Sequence, residues 1–355
     1  MHFVPSSWLE KKDFCDLERT AVGFCTGARS LIDNTGLIVG EGTYGVGEVV
    51  ELFCMVSGLD HIEYLEKVAY PALISTDGFE DMLKERKVIY NFYTTLSDVK
   101  YLENFISIIT EKGISYRLNT ELLSYHRNGL YSNLCLPIID QVKRSLALRS
   151  VVVMALPDAI FAGPLYRVIK DMKEGEEVVC AMPRIDASKA YPSLKRHFAD
   201  TPMVGLVAAE MVQDSMGEFL HPQTYAALNS ASGLLRYRDQ GGFIEARNAL
   251  PPPLCFFARE EMLETMIRNP GVGPSVHASF YTIDHDFTDS AWRSGQLRII
   301  DDSEYFFWVE LTGPNRHHDF QAHRLSERYY TADSMNHIFQ TPSRWIYDPA
   351  ALSGT

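Results

Sequence analysis

The densest run of side chains able to do chemistry is His277-Ala278-Ser279-Phe280-Tyr281-Thr282-Ile283-Asp284-His285-Asp286-Phe287, with Asp289 close behind. In an extended segment Asp284 and Asp286 point to one face and His285 to the other, so two carboxylates can meet one substrate or metal ion. His277 adds a candidate nitrogen ligand or base. The second candidate is Asp158 in Leu156-Pro157-Asp158, at the end of the apolar run 151–156. Ligands of open α/β sheets bind beyond the carboxyl ends of strands, so a carboxylate there can hold a divalent metal or ribose hydroxyls. Plainer readings stand beside both: a polar loop with capping aspartates for 277–289, and a helix N-cap for Asp158.

Two other strings imitate chemistry without its context. Gly40-Glu41-Gly42-Thr43-Tyr44-Gly45-Val46-Gly47 matches the glycine-rich phosphate loop of protein kinases. Kinase chemistry also needs a phosphate-holding lysine on a following strand, a catalytic loop and a metal aspartate, and none follows. A glycine-rich hairpin or loop is the expectation. His317-His318-Asp319 lacks a third ligand at metal spacing.

The elements that must position these residues follow a regular alternation from residue 51 onward. A short apolar run at 52–56 closes on Ser57-Gly58 and leads into an amphipathic stretch, 61–87, read as helix. A second strand, 88–93, closes on Thr94-Thr95; Ser97-Asp98 can cap the helix that runs to 112. A third strand is expected at 114–118, a helix at 131–149, and a strand buried on both faces at 151–156. A helix at 165–173, a strand at 178–182 and strand-like pieces at 254–257, 297–300 and 305–311 follow. This spacing predicts an α/β fold with a mixed, mostly parallel sheet and helices on both faces. Residues 1–50 read as an N-terminal extension carrying the glycine-rich loop, 51–183 as a nucleotide-binding half, 184–320 as an acceptor and catalytic half completing the same domain, and 321–355 as a C-terminal tail.

Bulk properties narrow the partners. A chain of 355 residues with 46% hydrophobic and 22% charged side chains has the composition of a folded globular protein. The net charge of -13 gives no general attraction for a phosphate backbone, so a nucleic-acid acceptor would need a local basic patch. Six cysteines without close pairing are expected to be reduced core residues. No apolar stretch reaches the roughly 18 residues of a spanning helix and no signal-peptide pattern opens the chain, which predicts a cytoplasmic protein without membrane insertion.

Three stretches together resemble bacterial and phage GT-A-type glycosyltransferases, over about residues 51–312. The first is Leu52-Phe53-Cys54-Met55-Val56-Ser57-Gly58 with the helix closing at Tyr70-Pro71-Ala72-Leu73. The second runs from Tyr90-Asn91-Phe92-Tyr93-Thr94-Thr95-Leu96-Ser97-Asp98 to Leu156-Pro157-Asp158-Ala159-Ile160-Phe161. The third is His221-Pro222-Gln223-Thr224, then Thr282-Ile283-Asp284-His285-Asp286-Phe287 and Asp302-Ser303-Glu304. The resemblance implies a GT-A-like, Rossmann-like fold and a nucleotide-sugar donor, a UDP-sugar. It places Ser57, Thr94 and Thr95 on uracil and ribose. It places Asp158 on a divalent metal, Mn or Mg, at the diphosphate, although Pro157-Asp158-Ala159 departs from the family's two-aspartate motif.

In such an enzyme charge builds on the departing diphosphate and on the sugar ring. Arg184 is a candidate cation for the leaving group. Asp284 or Asp286 is the candidate carboxylate at the anomeric carbon, as general base in an inverting reaction or as nucleophile or stabiliser in a retaining one. The acceptor is open among a modified nucleic-acid base, a protein and a glycan. Two other functions fit the sequence: a non-catalytic binding protein on the same fold, as in viral host interaction, and a nucleotidyltransferase, whose usual basic loop is missing from Ser57-Gly58-Leu59-Asp60-His61.

Overall fold

The computed structural model describes residues 32–33, 44–120, 122–123, 132–180, 184–200, 235–238, 243–247, 253–263, 290–291, 293–300, 305–313 and 342–346. Its strands, in chain order, are β1 (Ile32–Asp33), β2 (Val49–Met55), β3 (Lys87–Tyr93), β4 (Ser115–Asn119), β5 (Val151–Met154), β6 (Ala159–Ala162) and β7 (Glu177–Cys180). They continue with β8 (Arg184–Asp186), β9 (Leu235–Arg238), β10 (Phe243–Arg247), β11 (Pro253–Phe257), β12 (Leu297–Ile300), β13 (Phe307–Thr312) and β14 (Pro342–Ile346). The main sheet has 8 strands in the order β1-β4-β3-β2-β5-β11-β7-β12.

Strands β4, β3, β2 and β5 run parallel. β11 is inserted antiparallel between β5 and β7, and β12 returns parallel to β7. The fold is therefore a mixed, mostly parallel Rossmann-like sheet, as expected from the alternation. The chain moves outward from β2 through β3 to β4, then comes back to lay β5 on the other side of β2. That reversal is a topological switch point, the place where open α/β sheets bind their ligands. Two smaller sheets accompany it, β6-β13-β8 and β14-β10-β9.

Helices cover both faces. α3 (Val99–Glu111) presents Leu102, Phe105 and Ile109 at helical spacing, all buried. Phe105 meets the Tyr90 and Phe92 rings of β3 and Tyr70 on the same face. On the other face α4 (Ser132–Leu148) sends Asp140, Gln141 and Arg144 toward Glu51, Asn91 and Tyr93, which alternate with those aromatics along their strands. Glu51 is fully buried inside β2. It accepts from Arg144 Nε at 3.1 Å, from Asn91 Nδ2 at 2.8 Å and from the Ser150 hydroxyl. Beside it Arg117 Nη1 donates to Asp140 Oδ2 at 2.7 Å.

The stretch expected as one helix over 61–87 is divided. α1 starts at Leu59–Tyr64, widens into a π-helical turn at Leu65–Ala69 and resumes at Tyr70–Ile74; α2 (Phe79–Glu85) follows after a break. Pro71 supplies the reason for the widening, since it has no N–H to donate to the carbonyl four residues back and its ring crowds that carbonyl. Two further helices are α5 (Leu165–Lys170) and α6 (Ala187–Asp200).

Parts of the first 50 residues lie in the main sheet. β1 pairs antiparallel with β4, and β2 begins at Val49. The end of the glycine-rich string forms a turn into β2 at the amino end of the parallel strands, the side opposite their carboxyl ends. Gly47 has φ 70, and an added Cβ would sit 3.3 Å from the Phe257 ring, so the glycine serves the turn and its packing. Its N–H donates to the Arg149 carbonyl at 2.9 Å and its carbonyl accepts from Arg86 at 2.8 Å.

Candidate functional site

The carboxyl ends of β2, β3 and β5 bring Ser57, Thr94, Thr95 and Asp158 to one edge of the sheet. Backbone bonds continue each strand into its loop: Val56 N–H to the Tyr93 carbonyl at 2.9 Å, and Thr94 N–H to the Asn119 carbonyl at 3.0 Å. Ser57 and Gly58 are exposed, Thr95 is half-buried and Thr94 is buried. The Thr94 Oγ1 has no hydrogen-bond partner among the described residues. Gly58 takes φ 82, and apart from its own chain neighbours no atom of the described residues lies within 4 Å of where its Cβ would be. His61 Nδ1 lies 3.0 Å from the Ser57 carbonyl and ties this turn to α1.

Asp158 stands between β5 and β6, not at a helix start. α5 begins only at Leu165, after β6, with Pro164 before it, so the N-cap reading of Asp158 does not hold. The Asp158 carbonyl accepts the Leu311 N–H at 2.8 Å, which docks the small β6-β13-β8 sheet against the switch point. Its carboxylate is felt by two neighbours. The Cys54 thiol is pushed well up, by burial first and by Asp158 second. The Tyr64 phenol is raised by burial first and then by the charges of Asp60, Glu63, Asp158 and Asp186.

Helix α6 closes this side. Asp186 precedes it and accepts from the Ser188 N–H at 2.9 Å and from the Ser188 hydroxyl at 2.6 Å, an N-cap arrangement. The helix then crosses α1, with Tyr191 packed on Tyr64 at 4.7 Å between ring centroids and Lys195 donating to Glu63.

Asp98 is the residue whose role differs most from expectation. It precedes α3, but its backbone is helical (φ -93, ψ -15) and its side chain makes no capping bond. The carboxylate instead accepts the Gly58 N–H at 3.0 Å and the Thr95 hydroxyl at 2.8 Å, joining the β2 and β3 loops.

Among the described residues, no three His, Cys, Asp or Glu side chains converge to hold a metal ion. Arg184 lies in β8, in register with Glu310 of β13. His277, Asp284 and Asp286 lie outside the described residues, as do His317, His318 and Asp319. Cys54, Cys180 and Cys255 are buried free thiols, and Trp308 is a core residue stacked on Phe161. No helix among the described residues is long and apolar enough to cross a membrane.

The strand order thus defines a mixed, mostly parallel α/β sheet of Rossmann-like type. Among solved structures the chain is similar to a protein assigned as a glucose-1-phosphate thymidylyltransferase from Bacillus anthracis, crystallised with sucrose. Identity is 12%, the TM-score is 0.33, and the match covers 74% of this chain and 89% of that one. At that level of likeness the fold description rests on this chain's own strand order. No family model matches the chain, and no curated protein matches its sequence.

Proposed function

We propose that this chain is a glycosyltransferase that takes its sugar from a nucleotide-sugar donor, a UDP-sugar. The observation that supports the reading is that β2, β3 and β5, the strands leading to Ser57, Thr94, Thr95 and Asp158, are parallel neighbours, so these residues follow the carboxyl ends of adjacent strands. Hydroxyls beyond β2 and β3 suit the nucleoside, and the carboxylate beyond β5 suits the diphosphate end. A divalent ion, when bound, supplies charge neutralisation for the departing diphosphate, and Asp158 is the side chain that would hold it. Asp284 or Asp286 is the proposed carboxylate at the anomeric carbon, with His277 and Arg184 as the accompanying base and cation. The acceptor is a nucleic-acid base, a protein or a glycan.

The test is release of UDP from a panel of UDP-sugars, in parallel with release of pyrophosphate from nucleoside triphosphates given sugar phosphates. UDP release that Asp158→Asn weakens through a raised donor KM supports the reading. Pyrophosphate release makes the chain a nucleotidyltransferase, and neither product makes it a binding protein on the same fold.

A further inference from the structure

We propose that Asp98 is the positioning residue of the donor site, fixing the separation of the two strand ends between which the nucleoside lies. This rests on the glycosyltransferase reading and adds a residue that makes the site rigid. A residue placed before a helix ordinarily caps it through its side chain from an extended backbone. Asp98 does neither. A single oxygen, Oδ2, accepts from Gly58, 40 residues upstream, and from Thr95 within its own turn. Gly58 ends the β2 loop, and Thr95 and Asp98 both lie in the β3 loop. The tie therefore spans the two adjacent parallel strands on one side of the switch point.

The same geometry sets the polarity that Thr95 offers a ligand. A carboxylate only accepts, so the Thr95 hydroxyl spends its proton on Asp98. Ser97 Oγ, 2.8 Å from Thr95 Oγ1, is then the donor in that pair. One acceptor position on Thr95 is left. It suits an O–H or N–H of a nucleoside and not a phosphate oxygen. Holding two loops in their bound spacing before the ligand arrives removes an ordering cost from binding.

The experiment measures UDP affinity by titration calorimetry and exchange of the Gly58 amide by NMR. It compares the full-length wild type with Asp98→Ser and Asp98→Asn. Serine suits the position before a helix but is too short to reach Gly58; asparagine keeps a carbonyl oxygen able to accept both bonds. Asp98→Ser is expected to speed Gly58 exchange and to weaken UDP by about tenfold or more, with Asp98→Asn within about threefold of wild type. UDP affinity in Asp98→Ser within about twofold of wild type overturns the positioning role. Equal losses in both variants overturn it as well, because the negative charge itself would then be acting on the ligand. Failure of the wild type to bind any nucleoside diphosphate overturns the glycosyltransferase reading and the inference with it.

Discussion

The Thr94 hydroxyl is buried at the end of β3 with no partner among the described residues. A buried polar group without a hydrogen bond costs about 1–3 kcal/mol, a cost that a bound ligand's polar atom can offset. Thr94→Val keeps the shape and removes the hydroxyl. It should leave the melting temperature of the free protein unchanged or higher while weakening UDP binding. A variant that melts lower and binds as well as wild type would make Thr94 a structural residue only. Asp158 gives the complementary expectation. Asp158→Asn should raise the donor KM by about tenfold or more without unfolding the chain, which steady-state kinetics and a melting curve together will check. The position of Asp158 beyond a buried strand was legible from the apolar run before it. Asp98 was not, because its partner lies 40 positions away and a Ser-Asp pair before a helix reads as a cap.

Element packing turns on a charged group inside the sheet. Glu51 interrupts an apolar run, so the sequence pattern starts the strand at Leu52, yet β2 begins at Val49 and Glu51 is fully buried. Periodicity cannot register a buried charge whose partner comes from a helix over 90 residues later. Glu51→Ala leaves Arg144 buried and uncompensated, an expected loss of about 3–5 kcal/mol in a denaturant titration. Replacing Glu51 and Arg144 together by methionine should recover most of it. The clasp between α6 and α1 is pH-dependent in a defined direction. The Glu63 carboxyl lies below its ordinary range, first through its hydrogen bond from Lys195 and then through Tyr191. Stability from a depressed carboxyl is present above the unfolded value and is lost as pH falls through the folded one. Because the pair is largely exposed, the effect is small and salt-sensitive. The difference in melting temperature between wild type and Lys195→Met should therefore shrink as acid protonates Glu63.

Across the whole molecule, one buried cluster runs from Val50 to Trp308. β11 joins it as the antiparallel strand that bridges β5 and β7. Residues 51–183 alone would expose the edges of β5 and β7, both buried along their whole length, so that fragment should aggregate while the full chain melts in one transition. The parallel core was legible because helix and strand periods alternate clearly through residue 180. The insertion of β11 was not, since its pairing depends on contacts about 100 residues apart in the chain. Nor does the order of β6, β8 and β13 follow from local pattern.

A nucleotide sugar is the proposed ligand beyond the carboxyl ends of β2, β3 and β5. The most direct measurement is the melting temperature of the full chain with a panel of nucleotide sugars, with and without Mn²⁺. A ligand that binds only the folded state stabilises it by about 2.7 kcal/mol at 100 times its Kd. A UDP-sugar should raise the melting temperature of the wild type, and the rise should be lost in Asp158→Asn. An unchanged melting temperature with every nucleotide sugar would contradict the account.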